Sequence, residues 1–194
     1  MSAYAQGLFP MDDPAAQDRP LPFYMADPRT ILDIDPDGLA RIRRKVRRSV
    51  ARDPGWEPAV DRDFEAVLEG CAASRPDQGV WLTPRLASLY ERMHATGFAH
   101  SWELWDGEEL VAGVLGIGMR RAAMLESMFH TQPHAGNVGL LRTVERLVAD
   151  GYELCDLQLA TPHTTRLGAR SVPAAEYERL LEHALREKVR PPSL

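Results

Sequence analysis

The stretch AMLESMFHTQPHAGNVGLLRTVERLVADGYELCDLQL, Ala123 to Leu159, decides how this chain folds. Ala123 to Phe129 is a short apolar-rich run, read as a strand. From Asn137 to Asp150, Leu140, Leu141, Val144, Leu147 and Val148 recur at helical spacing, and Gly151 ends the run. Glu153 to Leu159 then alternates as a strand does. Strand, helix and strand in succession make a crossover unit, which sets two parallel strands in one sheet.

Working outward, Ala99 to Trp105, the turn Asp106-Gly107 and Leu110 to Met119 read as a hairpin feeding that unit. Further upstream the period is helical. Asp35-Pro36 is an N-cap with proline at the first helical position, and Leu39, Ile42, Val46 and Val50 form an apolar stripe that stops by Pro54-Gly55. Trp56 to Val60 reads as a short strand. A second helix starts near Asp63, with Phe64, Val67, Leu68 and Cys71 on one face. A third is capped by Thr83, opened by Pro84, lined by Leu86, Leu89, Tyr90 and Met93, and closed by Gly97. Ala174 to Arg186 is the last helix. Residues 1–35 hold Pro10, Pro14, Pro20, Pro22 and Pro28 without apolar periodicity, so they read as an irregular arm or small truncated subdomain ahead of a domain over 36–194. The whole is an α/β (α+β) protein with a mixed sheet flanked by helices. Acyltransferases of the GNAT type follow the same element order, so the sheet is expected to be GNAT-like.

Composition sets outer limits. The chain has 194 residues, 44% hydrophobic and 26% charged, with 28 acids against 23 bases and a formal net charge of −5. That excludes a wholly basic nucleic-acid coat but permits a local basic patch. No apolar run approaches the ~18 residues of a membrane span, and Met1 to Pro10 has no signal-peptide pattern. The two cysteines, Cys71 and Cys155, follow no metal-site spacing. Together these point to a cytoplasmic protein with no membrane partner.

Three places could carry chemistry. In the strand from Glu153 to Leu159, alternation puts Leu154, Asp156 and Gln158 on one side and Cys155, Leu157 and Leu159 on the other. Two polar groups on a central strand cost stability unless they are paired or used. Between Ala123 and Met128, Glu126 is expected to lie between Met124 and Met128 on one face, where a carboxylate among methionines has a raised pKa unless a cation neutralises it. Glu126 and Asp156 together would suit a positively charged substrate. From Arg41 to Arg52, seven of 12 residues are basic: Arg41, Arg43, Arg44, Lys45, Arg47, Arg48 and Arg52. Such a cluster is either a solvated face or a sequence-blind phosphate surface.

Other motifs are weaker. His130 and His134 have ligand spacing, but Pro133 between them argues against a helix, and no metal site is expected. Gly113, Gly116 and Gly118 lie inside a strand, so close backbone packing or a bulge explains them better than a dinucleotide loop. No nucleophile elbow surrounds any serine.

Taken in order, GLFP (Gly7 to Pro10), DPR (Asp27 to Arg29), EGCA (Glu69 to Ala72), the run around Trp81 and Thr83, HSWELW (His100 to Trp105), ESMF (Glu126 to Phe129), DLQ (Asp156 to Gln158) and HTTRLGA (His163 to Ala169) resemble the bacterial leucyl/phenylalanyl-tRNA–protein transferase family. The resemblance implies a small N-terminal domain packed on a GNAT-like domain. It also implies transfer of Leu or Phe, with Met as a further donor, from aminoacyl-tRNA to the N-terminal Arg or Lys of a protein, marking it for degradation. It assigns catalysis to Asp156 and Gln158 and an acidic site position to Glu126. Trp81 and Tyr90 fall near the aminoacyl-adenosine end, and Met128 forms a wall of the amino-acid pocket. Met124 is expected beside that pocket, His163 at the substrate, and the basic helix on the tRNA phosphates. No cofactor is implied, and a monomer is expected. The sequence departs from the family pattern in its short lead before GLFP, in PFYMADPR with Phe23 and Tyr24, in Leu125 where glycine is expected, and in Thr161-Pro162 before His163. These bear on substrate preference more than on reaction type.

Two other readings stay open. A GNAT-type N-acetyltransferase using acetyl-CoA needs a pyrophosphate-cradling turn at the start of the long helix. Gly136-Asn137-Val138-Gly139 is there, without the Gln/Arg that usually precedes it. A non-catalytic binder of basic N-termini is the other.

Overall fold

The computed structural model describes residues 1–16, 18–74 and 82–186. Seven strands form one sheet in the order β4 (Glu57–Val60), β5 (Ala99–Asp106), β6 (Glu109–Met119), β7 (Ala122–His130), β8 (Leu154–Gln158), β3 (Arg29–Leu32) and β9 (Arg170–Val172). Every pairing in it is antiparallel except β7 with β8. That parallel pair is joined by α4 (Ala135–Ala149), as the crossover pattern requires. The mixed α/β expectation therefore holds.

The helices lie on both faces because each presents one apolar stripe. On one face α2 (Phe64–Ala73), α3 (Pro84–Ala95) and α6 (Ala174–Arg186) pack through Val67, Leu86 and Tyr177 against Leu115, Ile117, Met124 and Leu154. On the other, α1 (Pro36–Val50), α4 and α5 (Pro162–Leu167) pack through Ile42, Val46, Leu140, Val144 and Leu167 against Val114, Leu125 and Cys155. The local start signals act as read: Asp35, Asp63 and Thr83 each accept a hydrogen bond from a first-turn amide.

The strand glycines are packing sites. A Cβ on Gly113 would meet the Phe129 ring at 2.6 Å, and one on Gly116 would meet the Met124 carbonyl at 2.8 Å. A β-bulge also falls at Leu115/Gly116.

The stretch read as an irregular arm or small subdomain carries short regular elements. A two-stranded ribbon, β1 (Phe9–Pro10) with β2 (Phe23–Tyr24), stands apart. The last stretch of the arm is strand β3, inside the large sheet between β8 and β9. Its four residues are too few to show a period, and their pairing is wholly long-range.

Candidate active site

The site forms where the two parallel strands part. Pairing of β7 with β8 runs through Ala122–Leu154, Ala123–Cys155 and Met124–Asp156 and goes no further. Beyond it β7 stays with β6 and β8 stays with β3. Two local features drive the parting. In β7, Leu125 pairs with Gly116 and Ser127 with Leu115, leaving Glu126 as the extra residue of the bulge. In β8, Gln158 takes a left-handed conformation at φ +58°, which ends the strand.

A cavity of about 540 Å³ occupies this opening. Leu125, Met128 and Leu157 supply an apolar wall, Glu126 stands at its edge, and α5 covers it with His163 and Arg166. Thr161 caps α5 in a reciprocal capping box with Thr164, fixing that cover.

The bulge corrects one expectation. Met124 and Met128 do not share a face. Met124 is fully buried with Leu115 and Ile117 on the α2/α3 side, whereas Met128 packs toward the cavity. One extra residue between them inverts the alternation, so Leu125 takes the wall position expected of Met124.

Glu126 turns its carboxyl toward α3, where Tyr90 donates to Oε2 at 3.1 Å. Tyr4 of the arm lies beside both, its hydroxyl closing no hydrogen bond of good geometry. Burial pushes the Glu126 carboxyl up to about 8, against the hydroxyls of Tyr4 and Tyr90 and the Arg29 charge, which pull it down. The residue still keeps part of its surface toward the cavity. Burial likewise pushes His163 below its ordinary value, aided by Arg166 and His130, which favours the neutral ring.

Asp156 is placed differently from its reading. It does not face an open hollow beside Glu126. Its side chain is completely buried and bidentate to Arg29, with Nε to Oδ1 at 2.9 Å and Nη2 to Oδ2 at 2.6 Å. Tyr177 donates to Oδ2 at 2.7 Å, and the Gln158 main-chain N–H to Oδ1 at 2.8 Å. The negative charge expected to greet a cation is already answered. Removing one member of a buried pair of this kind costs ~3–5 kcal/mol. Burial alone would lower the Arg29 pKa, but the hydrogen bonds and charge of Asp156 overturn that and hold it above its ordinary value. Arg29, Tyr177 and Tyr4 are the site residues that the sequence did not flag. Arg29 could have been suspected as a lone cation opening the apolar run Ile31-Leu32, whereas Tyr4 and Tyr177 carried no signal.

Unpartnered buried polar atoms collect here. Among the described residues these are Tyr4 Oη, Thr30 Oγ1, Trp56 Nε1, Glu126 Oε1, Gln158 Nε2 and His163 Nε2. All but Trp56 belong to this region: Thr30 is the cross-strand partner of Gln158, and His163 shares the cavity with Glu126. Buried groups left without partners carry a cost of ~1–3 kcal/mol each, which a bound substrate can relieve.

The basic helix lies next door. α1 packs on α5, with Lys45 Cε 3.9 Å from the position a Cβ would take on Gly168. Arg41 pairs with Asp33 and Arg43 with Glu145. Arg44, Lys45, Arg47 and Arg48 are exposed and form no ion pair among the described residues. The start of α4 is closed: Asn137 donates to Ser49 Oγ, His134 meets the same oxygen, and a Cβ on Gly136 would touch His130 at 2.6 Å. These contacts crowd the turn where a pyrophosphate would have to sit, and they place His134 against α1. Trp81 lies outside the described residues.

The sequence model described as leucyl/phenylalanyl-tRNA protein transferase matches residues 34–182. The chain belongs to that family. Proteins named leucyl/phenylalanyl-tRNA–protein transferase from Anaeromyxobacter dehalogenans and Caulobacter vibrioides are 39% and 40% identical to it. These matches cover 96% and 95% of this chain and 78% and 83% of the relatives. A third, from Akkermansia muciniphila, is 36% identical over 97% of this chain and 95% of its own length. Membership makes the chain an aminoacyltransferase and disfavours the acetyl-CoA reading, in line with the closed α4 start. Among the described residues no helix is long and apolar enough to cross a membrane.

Proposed function

We propose that this protein transfers Leu or Phe, and Met as a further donor, from aminoacyl-tRNA to proteins beginning with Arg or Lys, in the cytoplasm, so marking them for degradation. The observation that carries the reading is the opening between β7 and β8. Its apolar wall has Glu126 at its edge, Gln158 ends β8 next to it with Nε2 buried and unpartnered, and the neighbouring helix α1 carries four exposed cations that form no ion pair among the described residues.

The donor side chain fits the apolar wall of Leu125, Met128 and Leu157, and tRNA phosphates suit Arg44, Lys45, Arg47 and Arg48, with Arg41 and Arg43 at the margin. Tyr90 holds Glu126 for the basic acceptor end, which draws the carboxyl into its ionised form.

The aminoacyl ester is already activated, so positioning is the main task, for which ~7–11 kcal/mol is available at best. An N-terminal amine with a pKa near ~8 is partly unprotonated at neutral pH. Its nitrogen attacks the ester carbonyl carbon and the carbon–oxygen bond to the ribose breaks. The amine proton passes by way of the neighbouring ribose hydroxyl to the departing ribose oxygen. Products are the lengthened protein and uncharged tRNA. The Gln158 carbonyl accepts from the amine and aims its lone pair, and Nε2 donates to the carbonyl oxygen as charge gathers there. One copy of the chain supplies every group in this scheme, which fits a monomer.

The test offers radiolabelled Leu-, Phe- and Met-tRNA to peptides beginning with Arg, Lys or Glu. Label is expected on the first two peptides only. Absence of label on all three ends the reading.

A further inference from the structure

Asp156 has no lone pair left for a substrate. A carboxylate has about four acceptor positions, and here Arg29 fills two, Tyr177 one and the Gln158 main-chain N–H the fourth. Arg29 is in turn immobilised. Its Nη1 donates to the Gly7 carbonyl at 2.7 Å, and its guanidinium stacks between the Phe9 and Tyr177 rings at 4.8 and 4.6 Å. From this cluster a hydrogen bond runs on to the Gln158 main chain, and Gln158 is in a backbone conformation that non-glycine residues rarely adopt.

We propose that Arg29 and Tyr177 are positioning residues for the transfer reaction. By saturating Asp156 they fix its Oδ1 against the Gln158 N–H, hold Gln158 in its left-handed turn and so aim the side-chain amide. Asp156 then acts through the Gln158 main chain and touches no substrate. The inference rests on the transfer reading only in taking Gln158 as the amide that meets the reacting groups.

The clamp can be tested with and without turnover. Hydrogen exchange at the Gln158 amide, followed by NMR, is expected to speed up at least tenfold in Tyr177→Phe and in Arg29→Gln. Unchanged exchange in both would overturn the clamp, whatever the enzyme transfers. With Leu-tRNA and an Arg-initial peptide, Tyr177→Phe is expected to lower kcat several-fold at constant KM, its pH profile keeping the wild-type shape. Asp156→Asn leaves Oδ1 able to accept from Gln158 but orphans Arg29. The double variant Asp156→Asn/Arg29→Gln relieves that charge and is expected to regain at least tenfold in kcat over Asp156→Asn alone. A folded double variant no more active than Asp156→Asn would show that the carboxylate charge itself takes part, and would sink the proposal. A wild-type protein that transfers nothing would fail the transfer reading, while the exchange experiment would still decide the clamp.

Discussion

Glu126 is the residue at which burial and charge pull hardest against each other. Folded, its carboxyl keeps a proton up to about pH 8, and its ordinary value is 4.5. Between those values unfolding releases a proton, so stability falls as pH rises through the window. Glu126→Gln removes that dependence. Thermal unfolding at about pH 6 and pH 8 should show a smaller loss on the alkaline side in the variant than in the wild type. An equal loss in both would mean the carboxyl is ionised in the folded protein. Leu125, one residue earlier, acts through volume. It is buried in the cavity wall where the family resemblance leads one to expect glycine. Leu125→Ala should cost ~2–4 kcal/mol of stability and widen the pocket. The ratio of Phe to Leu transfer should rise by about tenfold, read from competing Phe- and Leu-tRNA.

At the scale of elements, the proposed reading makes α1 the element that sets donor affinity. Four exposed cations meeting phosphates give a log–log salt slope of about −3, or roughly a sixty-fold loss between 50 and 200 mM salt. Replacing Arg44, Arg47 and Arg48 by Gln should flatten that slope, measured by equilibrium binding of Leu-tRNA, and a slope unchanged by the triple variant would place the tRNA elsewhere. This helix was legible because its instructions are local: the Asp35 cap, Pro36 and the stripe of Ile42 and Val46 lie within a few turns of one another. The hairpin and the crossover were legible for the same reason. The bulge at Glu126 was not, since it exists only in the register against β6, and no pattern within β7 announces an extra residue. Strand β3 was hidden likewise. The Arg29–Asp156 pair spans 127 positions and leaves no local trace. Gln158 and Glu126 could be named as polar residues in apolar strands, but what they face depended on those non-local contacts.

Across the whole molecule, the arm over 1–35 acts as a closing piece. It brings Tyr4 to Glu126, Gly7 and Phe9 to Arg29, and β3 into the sheet beside β8. Asp12 ties the same arm to Thr83 and Arg85 at the start of α3. The arm's fit should therefore affect both stability and turnover, and Gly7 is the place to measure it. Gly7 sits at φ +76°, and a Cβ there would come within 2.8 Å of the Tyr177 ring. Gly97 has a nearly identical φ of +73° with open space around it. Gly7→Ala and Gly97→Ala both pay the left-handed strain of ~1–2 kcal/mol. Only Gly7→Ala also displaces Tyr177, so it should lose at least ~1 kcal/mol more in denaturant unfolding and should lower kcat in Leu transfer, while Gly97→Ala keeps it. Equal losses in the two variants would mean that the arm rests on the site without helping to build it.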